Sequence, residues 1–382
     1  VESDFEGRPI VNEGTLTVTG NGTIDSEMSA DGGFGAINNK GTLTIENGTY
    51  RGAIYASGSC IRNTGSDAML TVKDGTFEKA TCAIYNEGTA VLNGGTYTGE
   101  TCSSCNSQIW SYTIRNVTEA SKMTINGGTY TGVQGAVSAS IGYLEVNGGT
   151  FKTVKCVNNP KHTATFYALY AAGEVGKVKC VINDGTFITE GSYTAVLIGN
   201  DNDGGIHEQA TGIINGGTFI APEGVPALKG AEKTGDPQIY GGTFSTSVVK
   251  YAADEVQYEL QGDGTYSYYK TLDAAMEHAG DGATILPTDK DSSGNTVTVK
   301  FDYNNGDDST VVSVNAAGGK ITWPVITPGG FALAGWSDGT AVHTAGVEVS
   351  VTSGSSFTAV WDVLVSGVTL DKSESRTDWL AR

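Results

Sequence analysis

Residues 182–187 read INDGTF, and close variants of those six letters occur seven more times. They are IENGTY (45–50), VKDGTF (72–77), LNGGTY (92–97), INGGTY (125–130), VNGGTF (146–151), INGGTF (214–219) and IYGGTF (239–244). A weaker copy, VTGNGTI, lies at 18–24. The glycine before each threonine falls at 48, 75, 95, 128, 149, 185, 217 and 242. The shortest step is 20 residues and the longest 36. A short minimum with a variable excess describes stacked coils separated by loops of unequal length.

Each slot of the phrase has a physical use in such a stack. Ile45, Val72, Leu92, Ile125, Val146, Ile182, Ile214 and Ile239 form an aliphatic series expected to face inward. Tyr50, Phe77, Tyr97, Tyr130, Phe151, Phe187, Phe219 and Phe244 form an aromatic series expected to stack ring on ring. The glycines between them suit a corner that a side chain would block. Asn93, Asn126, Asn147, Asn183 and Asn215 can bond from coil to coil as amide ladders do. A second series, Asn39, Asn63, Asn86 and Asn116, follows AINN, CIRN, AIYN and TIRN. Two independent alignments point to an all-β parallel β-helix, or solenoid. About nine coils at ~4.8 Å would make a rod of about 43 Å. The Asn-Gly-Thr tripeptides at Asn21 and Asn47 follow from the repeat, so they are not read as glycosylation sites.

Composition narrows the partners. The 382 residues carry a net charge of −19, with 54 Gly and only 8 Pro. An acidic chain lacks the clustered Lys and Arg that a phosphate backbone needs, so nucleic acid and anionic membrane surfaces are disfavoured. No apolar run reaches the ~18 residues of a spanning helix, so no membrane insertion is expected. No signal-peptide pattern precedes Val1, as in a mature protein or a fragment. A monomer is expected.

The repeat resembles right-handed parallel β-helix proteins, in particular the NGGTF-repeat surface proteins of gut bacteria, over roughly residues 1–250 of a β-helix domain expected at 1–262. After Phe244 the pattern stops. Residues 263–296 read as a cap or linker with one short helix, Leu272, Ala275, Met276 and Ala279 on one face. Residues 297–362 resemble the Listeria–Bacteroides repeat, also called the internalin B-repeat. Phe301, Gly319, Pro324, Phe331, Gly335, Trp336 and Trp361 carry that likeness. It implies a small β-grasp-like module, structural and adhesive, without catalytic residues. Residues 363–382 resemble the opening strand of a bacterial immunoglobulin-like domain and otherwise read as linker.

Candidate sites are few. Arg62, Tyr85 and Arg115 occupy one slot of three successive coils and could form an outward cation–aromatic stack, either a ligand strip or plain surface stabilisation. The insertion at 98–124 adds Trp110 and Tyr112, loop aromatics able to stack on sugars or to pack their own loop. Asp201 and Asp203, in DNDGG beside Glu190, His207, Glu208 and Glu223, resemble part of a Ca²⁺ loop without its full ligand spacing. No other cofactor is expected. Hydrolysis of glycosides wants two carboxylates ~5–9.5 Å apart. Asp74 and Asp184 share a slot but lie four coils apart, so no catalytic residue is assigned and the chain leans away from an enzyme.

The cysteines complete the set. An extracellular protein is expected to oxidise neighbouring thiols. Cys60–Cys82, Cys102–Cys105 and Cys156–Cys180 are the local pairs the coil register favours, with buried free thiols as the alternative. The leading expectation is a secreted or cell-surface bacterial adhesin or binding protein whose ligand is a glycan or a host surface protein. A polysaccharide lyase or glycoside hydrolase on the same scaffold, and a purely structural stalk, are the alternatives.

Overall fold

The structure is a computed structural model. It describes residues 10–26, 35–52, 58–99, 112–133, 135–154, 167–171, 177–199, 210–230, 237–288, 296–305, 310–327 and 332–362. Two compact units divide the chain, Val1–Tyr251 and Ala252–Arg382.

The first unit is a parallel β-helix, as the repeat implies. Each coil gives one strand to each of three sheets. Ser59–Asn63, Met69–Val72 and Thr76–Ala80 make one coil. Cys82–Asn86, Thr89–Leu92 and Thr96–Gly99 make the next. The first sheet runs in nine strands from Ile10–Asn12 to Leu228–Gly230. The second runs in nine from Thr15–Val18 to Gln238–Ile239. The third climbs through the Thr-Phe and Thr-Tyr pairs from Thr23–Asp25 to Thr243–Phe244.

Period-two alternation sets what faces in. In Met69–Val72, Leu70 and Val72 are buried while Met69 is exposed. The aliphatic series from Ile45 to Ile239 is wholly buried. So is the aromatic series, and its consecutive rings stack with centroids 4.4–5.1 Å apart. One coil step in a parallel sheet is the distance at which two rings touch, so identical register produces the stack without further design. Tyrosine is accepted there because its hydroxyl has a partner. The Tyr50, Tyr97 and Tyr130 hydroxyls donate to the carbonyl oxygens of Asn47, Gly94 and Gly127 at 2.8, 2.8 and 2.7 Å. Burial raises the Tyr50 phenol to about 12.

The repeat glycine is required by geometry. Gly128 and Gly217 have φ of 101° and 103°, a region closed to most side chains. A Cβ at either would sit 2.9 Å from the carbonyl oxygen of the glycine one coil below.

Both asparagine series form ladders. Asn12, Asn39, Asn63, Asn86 and Asn116 are buried and pass a side-chain hydrogen bond upward at 2.7–2.8 Å. Asn93, Asn126, Asn147, Asn183 and Asn215 form the other ladder on the surface, each donating in the opposite sense, to the coil before it, at 2.7–2.8 Å.

Two of the three expected cysteine pairs do not form, and the alternative of buried free thiols holds at Cys60, Cys82 and Cys180. Cys60, Cys82 and Cys180 are free, buried thiols, so neither the 60–82 nor the 156–180 bond forms. Ile84 pairs with Ile61, but Cys82 pairs with Ser59 rather than Cys60. Cys60 directly precedes its isoleucine, and Cys82 precedes its own by two. That one-residue offset separates the two thiols in register. Each thiol finds a backbone acceptor instead. The Cys60 Sγ donates to the Glu78 oxygen at 3.4 Å, and the Cys82 Sγ to the Ile84 oxygen at 3.1 Å. Cys102, Cys105 and Cys156 lie outside the described residues.

The second unit has its own core around Phe301, Trp323, Trp336 and Phe357. Thr296–Asp302 pairs antiparallel with Val311–Ala317 and parallel with Ser356–Asp362. The Trp336 indole donates to the Pro324 oxygen and the Trp361 indole to the Tyr303 oxygen, both at 2.8 Å. The expected helix is Leu272–Glu277, capped by Thr271, whose side chain accepts from the Ala274 amide. It buries Leu272, Ala275 and Met276. Phe331 and 363–382 lie outside the described residues.

Candidate functional site

The first sheet carries the site, and its register builds it. Ile37, Ile61, Ile84, Ile114, Val137, Leu169, Val196 and Leu228 form one inward column. The residue after each points the opposite way. The outward column is therefore Asn38, Arg62, Tyr85, Arg115, Ser138, Tyr170, Leu197 and Lys229.

Three expected residues meet in that column. Tyr85 is half-buried between two guanidinium groups on adjacent coils. The Arg62 Cζ is 4.4 Å from its ring centroid and the Arg115 Cζ is 5.8 Å away. With cations on both sides, the ring holds the arginines and offers no free face to a sugar. Recognition here falls to the guanidinium N–H groups and the ring edge.

The two arginines differ in their partners. Arg62 Nη2 is 3.2 Å from Glu87 Oε1. The other oxygen of Glu87 accepts from the Gly65 amide at 3.0 Å. Among the described residues no carboxylate lies within ion-pair distance of Arg115, and its buried Nε has no hydrogen-bond acceptor. Ser59 Oγ, in the same strand as Arg62, is also buried without a partner. Burial pushes the Cys82 thiol up to about 12, opposed by the charge of Arg115 and then of Arg62.

Tyr112 is not a loop aromatic. It starts the strand Tyr112–Asn116 and is 4% exposed. It lies opposite Gly135, where a Cβ would fall 2.2 Å from the tyrosine ring. Its ring stacks on Tyr170 at 5.7 Å, and Tyr167 stacks on Tyr170 at 5.3 Å. Together with Leu197 they form a small apolar cluster outside the coil core, next to the arginine pair. Sequence reasoning missed Ser138, Tyr170 and Leu197, because their coils lack the Ile-x-Asn signature. A subtler signal was present. A small residue precedes every inward aliphatic, as in Ala136-Val137, Ala168-Leu169, Ala195-Val196 and Ala227-Leu228, and those alanines are buried.

The other candidates do not join this site. Trp110, Asp201, Asp203, His207 and Glu208 lie outside the described residues. Glu190 is paired with Lys152 at 2.7 Å. Among the described residues no group of three His, Cys, Asp or Glu side chains is placed to hold a metal ion. The second unit has an open cleft of about 550 Å³ lined by Val256, Tyr258, Leu272, Asn315, Lys320 and Glu348. Its lysine is already neutralised, Lys320 Nζ lying 3.2 Å from Glu348 Oε1. On the outward column of the first sheet, Arg115 is a guanidinium without a carboxylate partner among the described residues. No protein-family model, no curated protein and no solved structure matches the chain.

Proposed function

We propose that the chain is a binding protein, secreted or held at a bacterial surface, that takes a glycan on the outward column of the first sheet. The observation carrying this is the Arg62–Tyr85–Arg115 stack. Its donors are fixed by strand register and by a ring clamped between them. Little side-chain freedom is left to lose on binding, which favours affinity. Guanidinium groups offer several N–H donors in a rigid plane, suited to hydroxyl and carboxylate oxygens alike.

Binding is favoured over hydrolysis by the carboxylates nearby. Glu87 is committed to Arg62 and to the Gly65 amide, and a glycosidase would need a second one across the bond. The likeness of the repeats to NGGTF-type surface proteins fits this role. So does the likeness of the second unit to an internalin B-repeat of β-grasp type, which would serve as a spacer.

The test is a glycan and host-protein array with the full chain, beside a Tyr85→Ala, Arg62→Ala double variant of matched thermal stability. Glycan binding that disappears in the variant supports the proposal. Binding to host proteins alone, or glycan binding that survives the double substitution, overturns it. Silence on every probe would favour a structural stalk.

A further inference from the structure

Given that glycan reading, on which this step rests, we infer that the ligand presents a single carboxylate, a sugar acid on an otherwise neutral glycan, and that Arg115 is its anchor.

The described arginines are Arg51, Arg62 and Arg115. Arg51 is paired with Glu78 at 2.8 Å and with Asp25 at 3.5 Å, and Arg62 with Glu87. Arg115 alone of these has no carboxylate. In a chain of net charge −19, an arginine left without an acid is the exception. Its side chain is partly buried and leans toward Tyr85. Partial desolvation without a counter-charge is unfavourable, and a bound anion removes that penalty. Guanidinium and carboxylate are matched in shape, two parallel N–H···O bonds forming a fork.

The charge of the whole chain decides how many anions the ligand carries. At physiological salt the Debye length is about 8 Å, so a contact anion feels Arg115 strongly. A long polyanion also extends into the field of a chain whose net charge is −19, which opposes each further charge. One carboxylate is attracted and many are not. That argument disfavours sulfated polysaccharides and acidic peptide segments. The neighbours of the arginines in the column favour a sugar. Asn38, one coil beyond Arg62, is a half-buried neutral amide suited to hydroxyls flanking an acid, while Ser138, one coil beyond Arg115, is buried and closes that end of the column.

The experiment uses the full chain and oligosaccharides ending in glucuronic, galacturonic or sialic acid. Each is paired with the same molecule whose carboxyl has been reduced to an alcohol. Dextran sulfate and a glutamate-rich peptide complete the probes. The free acid should bind roughly 10- to 100-fold tighter than its reduced partner, the range for a hydrogen-bonded charge. Arg115→Met should erase that preference while melting as the parent does, and Arg115→Lys should keep part of it. If acid and alcohol bind equally to the parent chain, the anchor is refuted while the glycan site stands. Tighter binding of dextran sulfate or the peptide than of any sugar acid refutes the single-carboxylate ligand. If no glycan binds at all, the underlying glycan reading falls with it. Should Arg115→Met fail to fold, the acid–alcohol comparison on the parent chain still decides.

Discussion

The two asparagine ladders allow one chemical deletion to be made twice in different surroundings. Asn86 is wholly buried. Its amide accepts from Asn63 at 2.8 Å and donates to Asn116 Oδ1 at 2.8 Å, to the Gly88 oxygen at 2.9 Å and to the Lys122 oxygen at 3.2 Å. Asn147 sits in the surface ladder, donating to Asn126 at 2.8 Å and accepting from Asn183 at 2.7 Å. The ladder bonds have the same length, so any difference in cost comes from water. With alanine at 147, solvent takes over both neighbours, and the cost should stay near ~0.5 kcal/mol. With alanine at 86, Asn116 Oδ1 loses its ladder donor where water cannot reach. One stranded acceptor costs about 1–3 kcal/mol, and the other lost bonds about 1 kcal/mol each. The expected cost is about 4–6 kcal/mol. Urea unfolding of both variants at fixed temperature, with unchanged slope, measures the difference. Equal costs, or a larger one at Asn147, would refute the claim that burial rather than ladder geometry gives these bonds their weight.

Two further outcomes follow from the core. Phe187→Ala deletes a fully buried ring between Phe151 and Phe219 and should cost about 3–5 kcal/mol; a variant melting within a degree of the parent would contradict the stacked core. Burial raises the Cys60 thiol and pushes the Cys82 and Cys180 thiols up to about 12, so all three stay protonated at pH 8. They should resist alkylation in the native chain and react after denaturation with no reductant added; peptide mapping that finds any of the three alkylated in the folded state, or blocked after unfolding, would count against it.

The solenoid was legible because stacking forces repetition onto the sequence. Every coil meets its neighbours through the same slots, so Phe187 and Phe219 must occupy equivalent places in their phrases. The Arg62, Tyr85 and Arg115 alignment was legible for the same reason, since Asn63, Asn86 and Asn116 mark its register. Beyond Asn116 the buried ladder gives way to Ala139, Ala171 and Ile198, and the marker vanishes with it. Tyr170 was invisible on that account. The reading of a Cys60–Cys82 bond failed on a single residue of offset, visible in the sequence as CIRN against CAIYN but given its consequence only by the strand register. What the arginines lack was also beyond the sequence. Glu87 follows Tyr85 by two positions, yet its carboxylate serves Arg62 on the coil before, and only the folded register leaves Arg115 without one among the described residues.

The aromatic stack also acts as a gauge with a fixed pitch. Gly75 and Gly95 are separated by the shortest stretch of chain, Gly149 and Gly185 by the longest. The rings that follow them are nevertheless 4.6 Å and 4.8 Å apart. Sixteen extra residues, the difference between steps of 36 and 20, change the spacing by less than a bond length. Loop length is thereby insulated from the placement of side chains on the sheet. Loops can lengthen, shorten or be exchanged while each outward side chain keeps its tick on the scale. Arg62 and Arg115 stay two ticks apart whatever happens between them, and any molecule read by both must carry its groups at that interval.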